Sequence, residues 1–213
     1  MSGIDVTFMY AVHDAFQRDL DRLAAMAGGG DASSPGVQAG WERFKRFLHI
    51  HHTAEDTHLW PVLRAKNAVP AVLDQMEDEH ARLEALIDAV GEAVSAGSAG
   101  SAGAAGSAER LALSAERLAD GLGAHCEHEE QLALPLVQEF LSADEWSAFG
   151  AEQRRLLGLK GAAAFFPWLL DGADADMRRK VLGVVPPPVR VLHRYVWSPR
   201  YRRAPRWRAP VGA

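Results

Sequence analysis

Apolar residues recur every three to four positions through four segments of the chain, and no comparable stretch alternates with the period of two expected of a half-buried strand. This pattern predicts an all-α body. Helix A, over 5–27, carries the stripe Val6, Tyr10, His13, Phe16, Leu20 and Leu23 and stops at three glycines, which favour non-helical backbone. Helix B, over 37–67, follows Pro35-Gly36 and carries Trp41, Phe44, Leu48, His51, Glu55, Leu59 and Val62. Helix C starts near Pro70, tolerated in a first turn, and carries Leu73, Met76, His80, Leu83, Ile87 and Val90. Helix D, over 108–141, carries Leu111, Leu118, Leu122, His125, Glu129, Leu132 and Leu136. Four such stripes bury one another in an antiparallel, up-down-up-down four-helix bundle. Every stripe contains a histidine.

Punctuation sets the boundaries. "SAGSAGSAGAAGSA" at 95–108 offers nothing to bury and is expected to be a flexible loop. "SADE" at 142–145 is a capping-box pattern opening another helix, further helical pieces are expected over 152–170 and 174–183, and "PPP" at 186–188 interrupts them. The expected organisation is a bundle over 1–145, accessory helices packed on it over 146–185, and a Pro/Arg/aromatic-rich basic tail over 186–213.

Composition narrows the picture. The 213 residues, 48% hydrophobic and 24% charged, suffice for one substantial core. The N-terminal stretch lacks a basic region followed by an apolar one, and no apolar run approaches the ~20 residues of a membrane span, so a cytoplasmic location is expected. Cys126 is the only cysteine, so a metal site must rest mainly on His and carboxylates. The net charge of −5 conceals an asymmetry. Residues 178–213 hold ten Lys/Arg and no acid, leaving −15 on the rest. The tail, with Tyr195, Trp197, Tyr201 and Trp207 among its arginines, is expected to wrap that acidic body or a dimer partner's; contact with nucleic acid or anionic lipid is the other reading.

The chemistry lies in a repeat. His51, Glu55 and Pro61 match His125, Glu129 and Pro135 at intervals of four and six, and His13 and His80 are each followed three residues on by an apolar residue. The bundle is therefore expected to be a duplicated helical hairpin, H…HxxxE twice. Residues four apart on a helix lie side by side, so each HxxxE delivers an imidazole and a carboxylate to one point, and His13 and His80 add one imidazole apiece. Four His and two Glu converging inside a bundle suit two metal ions bridged by carboxylates, with iron the expected metal. A rival pair, His52 and Asp56, is also four apart, but its stripe runs through Lys45 and its counterparts are Cys126 and Glu130. His52 and His58 are placed beside the site or at the surface, Cys126 is assigned to packing, and His49, His128 and His193 are not assigned as ligands. Tyr10, a turn before His13, is read as a packing residue, with proton or electron donation as the alternative.

"HHTAEDTHLWP" at 51–61 and "HCEHEEQLALP" at 125–135 resemble the signature of the hemerythrin-like, or HHE cation-binding, family, over about 5–145. The resemblance implies a four-helix bundle with a non-haem di-iron centre, oxo- or hydroxo-bridged. His13, His51, Glu55, His80, His125 and Glu129 would be the ligands, with Glu55 and Glu129 bridging. Oxygen-carrying hemerythrins have a second histidine four residues after the helix C ligand; here that position is Glu84, a candidate seventh ligand or a surface residue. Open positions would suit O2, NO or peroxide, in an oxygen, redox or iron sensing role. The alternative is an oxidase- or peroxidase-like enzyme acting on an organic substrate, with "FFPWLL" at 165–170 as wall or lid. A nucleic-acid or membrane adaptor working through the tail is the third class; the default reading involves neither, and a homodimer stays open.

Overall fold

The computed structural model describes residues 3–28, 34–98, 104–204 and 207, and every regular element among them is helical. The elements are α1 (Thr7–Gly28), α2 (Pro35–Ala54), α3 (Trp60–Ala65), α4 (Pro70–Ser98), α5 (Ala104–His128), α6 (Leu134–Phe140), α7 (Ala143–Leu170), α8 (Ala175–Val184), α9 (Pro187–Leu192) and α10 (Ser198–Arg203). Single π-helical turns join α2 to α3 (Glu55–Leu59), α5 to α6 (Glu129–Ala133) and α9 to α10 (His193–Trp197). Among the described residues, no helix is long and apolar enough to cross a membrane.

Local chemistry accounts for the ends. Ser34 caps α2 by accepting from the Val37 N–H at 3.2 Å, with Pro35 in the first turn. Asn67, at φ 56°, closes α3 in a Schellman arrangement: Ala68 N–H reaches Leu63 C=O and Asn67 N–H reaches Arg64 C=O. Ser142 and Glu145 form the capping box of α7, Glu145 Oε2 accepting from Ser142 N–H at 2.7 Å. The loop expected over 95–108 is shorter than its composition suggests. Helix continues to Ser98 and resumes at Ala104, because alanine's propensity outweighs the glycines; 99–103 lie outside the described residues.

The π turns share one cause. Each begins six residues before a proline: Glu55 before Pro61, Glu129 before Pro135, His193 before Pro199. A proline inside a helix has no N–H to give, and its ring clashes with the carbonyl four residues back. Widening the preceding turn resolves the conflict, and Trp60, Leu134 and Ser198 N–H groups then bond five residues back, to Glu55, Glu129 and His193. The extra residue turns the following stripe by ~100°. The structure therefore buries Leu63 where the uniform period expected Val62, and Ala133 and Val137 where it expected Leu132 and Leu136; Leu132 is 44% exposed.

In the bundle α5 packs along both α1 and α4, and α2 touches α1, α4 and α7. Two apolar clusters form. One gathers Phe16, Leu20, Trp41, Phe44, Leu48, Leu83, Leu118, Leu122 and Trp168; the other gathers Met9, Leu59, Trp60, Leu63, Met76, Ala133, Leu134 and Phe149. α7 belongs to the first through Leu157, Phe165 and Trp168, and bends at Gly158, where φ is 62°. Arg18 and Arg22 of α1 donate to the Leu169 and Asp171 carbonyls at its end, at 2.8 and 3.0 Å, and Trp168 Nε1 donates to buried Asp19 at 2.8 Å. The "FFPWLL" segment is thus part of the core, one ring removed from the histidines: Trp168 packs on Phe16, and Phe16 on His51.

The C-terminal segment is largely helical. Trp197 stacks on Phe166, Tyr201 and Trp207 are buried, and Arg43 lies 5.0 Å over the Tyr201 ring. Among the described residues Arg190, Arg194, Arg200, Arg202 and Arg203 join no ion pair, so the segment is held by its aromatic residues rather than by its charge.

Candidate metal centre

Each helix brings its histidine in between the two apolar clusters. His13 stands between Met9 and Phe16, His80 between Met76 and Leu83, His51-Glu55 between Leu48 and Leu59, and His125-Glu129 between Leu122 and Ala133. The polar groups form a layer sealed above and below by apolar packing, and all six are buried.

The six side chains make a continuous chain of contacts. Glu129 Oε2 lies 3.1 Å from His13 Nε2, which lies 3.2 Å from His51 Nε2. His51 Nε2 lies 3.1 Å from Glu55 Oε1, Glu55 Oε2 lies 3.6 Å from His80 Nε2, and His80 Nε2 lies 3.2 Å from His125 Nε2. All four carboxylate oxygens of Glu55 and Glu129 are buried without a hydrogen-bond partner. Two carboxylates buried in apolar packing call for more positive charge than His13, beside Glu129, can bring to the layer. Two groups of donors are spaced to share an ion: His13, His51 and Glu129, and His52, His80 and His125.

Three of the four imidazoles have their outer nitrogen fixed. His13 Nδ1 donates to Glu130 at 2.7 Å, His80 Nδ1 to Asp56 at 2.8 Å, and His125 Nδ1 to Glu79 at 2.9 Å. Glu79 also accepts from His128 Nδ1 at 2.8 Å. Each carboxylate thereby selects the tautomer that turns Nε2 inward. Asp56 and Glu130 occupy the same place in the repeat, directly after Glu55 and Glu129, and each serves a histidine on another helix. The duplicated "ED" and "EE" dipeptides were the only sequence signal for this role, and nothing distinguished them from acids on a solvated face. Glu79 has no counterpart in the other copy, where Val12 precedes His13.

Electrostatics without metal follow from this crowding. Burial works against charge on His13, but Glu129 and Glu130 overcome it and raise its pKa to about 9. Burial likewise opposes charge on Glu129, yet His13 above all brings it down to about 2. Burial, then Glu129 and Asp56, pushes Glu55 well above the usual carboxylate range. His51 and His52 are held well below the usual imidazole range by burial and then by neighbouring histidines, and burial also lowers His125. The metal-free centre thus holds a His13–Glu129 ion pair and a neutral Glu55. Burial and the adjacent carboxylates raise Cys126, so it is a protonated thiol packed on the apolar cluster.

The remaining candidates fall elsewhere. Glu84 is exposed and joins neither donor group. His58 contacts Thr57 Oγ1 at 2.9 Å, His193 contacts Ser198 Oγ at 2.9 Å, His49 is exposed, and Tyr10 is 38% exposed. His52 lies beside the site, one of the two places expected of it. Its ring stacks on His80 at 3.9 Å, and its Nε2 is buried without a partner. His52 and Asp56 both face α4, so α2 presents one stripe to α1 and a second to α4.

Residues 5–137 match the family described as Hemerythrin HHE cation binding domain. The chain belongs to the hemerythrin HHE cation-binding family. Among curated proteins and solved structures, none matches. For a member of this family the donor groups, two orphaned carboxylates and inward-turned imidazoles are the features expected of a cation site, and the residues fit one.

Proposed function

We propose that this hemerythrin-family chain is a non-haem di-iron protein that takes up O2, NO or peroxide in an oxygen, redox or iron sensing role. His13, His51, Glu55, His80, His125 and Glu129 would hold the ions, with Glu55 and Glu129 shared between them. The observation that carries this reading is the pair of buried carboxylates whose four oxygens have no hydrogen-bond partner, set among four imidazole nitrogens. Such a layer suits two divalent ions better than one, since the donors divide into two groups. The absence of thiolate and the mixture of imidazole and carboxylate suit iron. Iron held there would supply a redox couple and open positions for a small ligand. The protein's own part is to exclude bulk water with the two apolar clusters and to hold the imidazoles rigid through Asp56, Glu79 and Glu130.

The order of the clusters along the chain supports an up-down-up-down bundle. α1 and α4 pass the Met9–Met76 cluster first, whereas α2 reaches it at its end and α5 only through the π turn and α6 that continue it.

Anaerobic iron loading, followed by additions of O2, NO and H2O2 under optical spectroscopy with turnover measured, tests the proposal. About two irons per chain and a stable adduct without turnover are expected. Fewer than two irons, or binding unchanged in His51→Ala and Glu129→Ala, would overturn it. Rapid loss of H2O2 or oxidation of an added substrate would replace the sensing role with the enzymatic one.

A further inference from the structure

The C-terminal helical segment, from α9 to α10, has two unlike faces. Val189, His193, Trp197 and Tyr201 follow one another at intervals of four and turn toward the bundle. Val189 packs on the first apolar cluster, Trp197 stacks on Phe166, and Tyr201 is buried. These contacts hold the segment in place, and the other face has no part in them. That face presents Val191, Leu192, Tyr195 and Val196, all between 41 and 66% exposed. Val191 with Tyr195, and Leu192 with Val196, are spaced as neighbours across a helical turn, so the four make one patch. Elsewhere among the described residues, exposed large apolar side chains stand one to an element: Tyr10, Val69, Leu113, Leu132, Leu159 and Val184. Scattered residues of this kind are ordinary, whereas a patch calls for an occupant.

Charge flanks the patch. Arg190, Arg194, Arg200, Arg202 and Arg203 are exposed, none joins an ion pair among the described residues, and 178–213 contain no acid. Arg194 lies 5.2 Å over the Tyr195 ring, so cation and apolar side chain share one surface. A nucleic acid would take the arginines but has nothing to offer three aliphatic side chains. A second copy of this chain would offer them its acidic body, of charge −15 over 1–177, but no comparable apolar patch among the described residues outside this segment. Two such segments set face to face would oppose like charges. An anionic phospholipid surface answers both halves. Its acyl boundary accepts Val191, Leu192 and Val196, its interface suits Tyr195, and its phosphates match the guanidinium fork.

We propose that α9, its π turn and α10 form a docking face for membranes that carry anionic phospholipid. The wrapping expected of the tail falls to its inward aromatic side chains, which leaves the arginines for the lipid. The same surface repels the acidic body, so the chain meets the bilayer by this face, lying on it rather than crossing it. The attachment is independent of the two-metal reading.

Flotation of the full chain with vesicles of phosphatidylcholine alone, or of phosphatidylcholine and phosphatidylglycerol in equal parts, tests it. Wild-type protein is expected on the anionic vesicles only, and to leave them as salt is raised. Arg190→Gln combined with Arg194→Gln should bind at least tenfold more weakly, since each arginine near such a surface contributes roughly fivefold. Leu192→Ser combined with Val196→Ser should weaken binding by about tenfold as well, because the apolar half of the contact is lost. All four positions are exposed, and circular dichroism checks that both variants fold. Absence of wild-type protein from the anionic vesicles would overturn the proposal, as would undiminished binding by the folded apolar-face variant. Oligonucleotide binding that outcompetes the vesicles and survives in that variant would assign the face to nucleic acid instead. Dimerisation lost in the arginine variant, with no vesicle binding, would assign it to a second copy. If the apolar-face variant does not fold, the arginine variant decides: undiminished binding overturns the proposal.

Discussion

At Glu55, burial and function oppose one another. Its carboxyl has both oxygens buried without a partner, and Glu129 and Asp56 add to the cost of its charge. Glu55→Gln should therefore raise the Tm of the metal-free protein, by about 2–4 °C for each kcal/mol recovered, while abolishing uptake of the second ion; thermal melts with and without iron check both halves. Because Glu55 and His13 must give up protons to accept a cation, iron uptake should release protons and weaken as pH falls, which calorimetry in buffers of different ionisation enthalpy measures. Asp56→Asn and Glu130→Gln leave the ligands in place but loosen the imidazoles of His80 and His13. Each should weaken metal affinity by roughly 10–100-fold. The six buried groups were legible in the sequence because His and Glu set into apolar stripes at repeated spacing must be buried, and buried ionisable groups in that number need a cation among them. The imidazole partners of Asp56 and Glu79 were not. Their roles depend on which neighbouring helix a second face meets, and a periodicity reports only one face.

Among the elements, the prolines did more than mark the repeat. A uniform helical period placed Leu132 and Leu136 in the core, and the wide turn ahead of Pro135 sends that stripe outward by one residue. The same turn begins at Glu129, so its geometry helps set the angle from which the carboxylate enters the layer. Pro61→Ala and Pro135→Ala allow the regular hydrogen bonding to return. They should weaken iron binding by about tenfold with little loss of helix, measured by titration alongside circular dichroism. Glu145 tests an element boundary. Lys66, then the Ser142 backbone, hold its pKa at about 2 against 4.5, so its contribution is fully present above about 4.5 and is lost as pH falls toward 2. Glu145→Gln should accordingly be less stable than wild type at neutral pH and converge with it in acid, which denaturant titration across that range would reveal.

Over the whole molecule, the helical class and the order of the long helices could be read from apolar spacing. The residues that anchor α7 and the C-terminal segment could not, because Trp168, Tyr201 and Trp207 form no periodic stripe. Their contacts are particular rather than periodic: Trp168 donates to Asp19, Tyr201 lies under Arg43, and Trp207 covers Gly40, where an added methyl would overlap its ring. Gly40→Ala should displace Trp207 and expose it to quenchers, with a shift in tryptophan emission as the readout. The placement of the polar layer bears on how the chain melts. Phe16, Trp41 and Trp168 lie on one side and Leu59, Trp60 and Phe149 on the other, joined by the ionisable layer and by Leu156 of α7, which packs on both. Each half is a hydrophobic unit that can open by itself when no metal charge occupies the waist, so calorimetry of the iron-free chain should show two overlapping transitions, which merge into one when iron rivets the halves together.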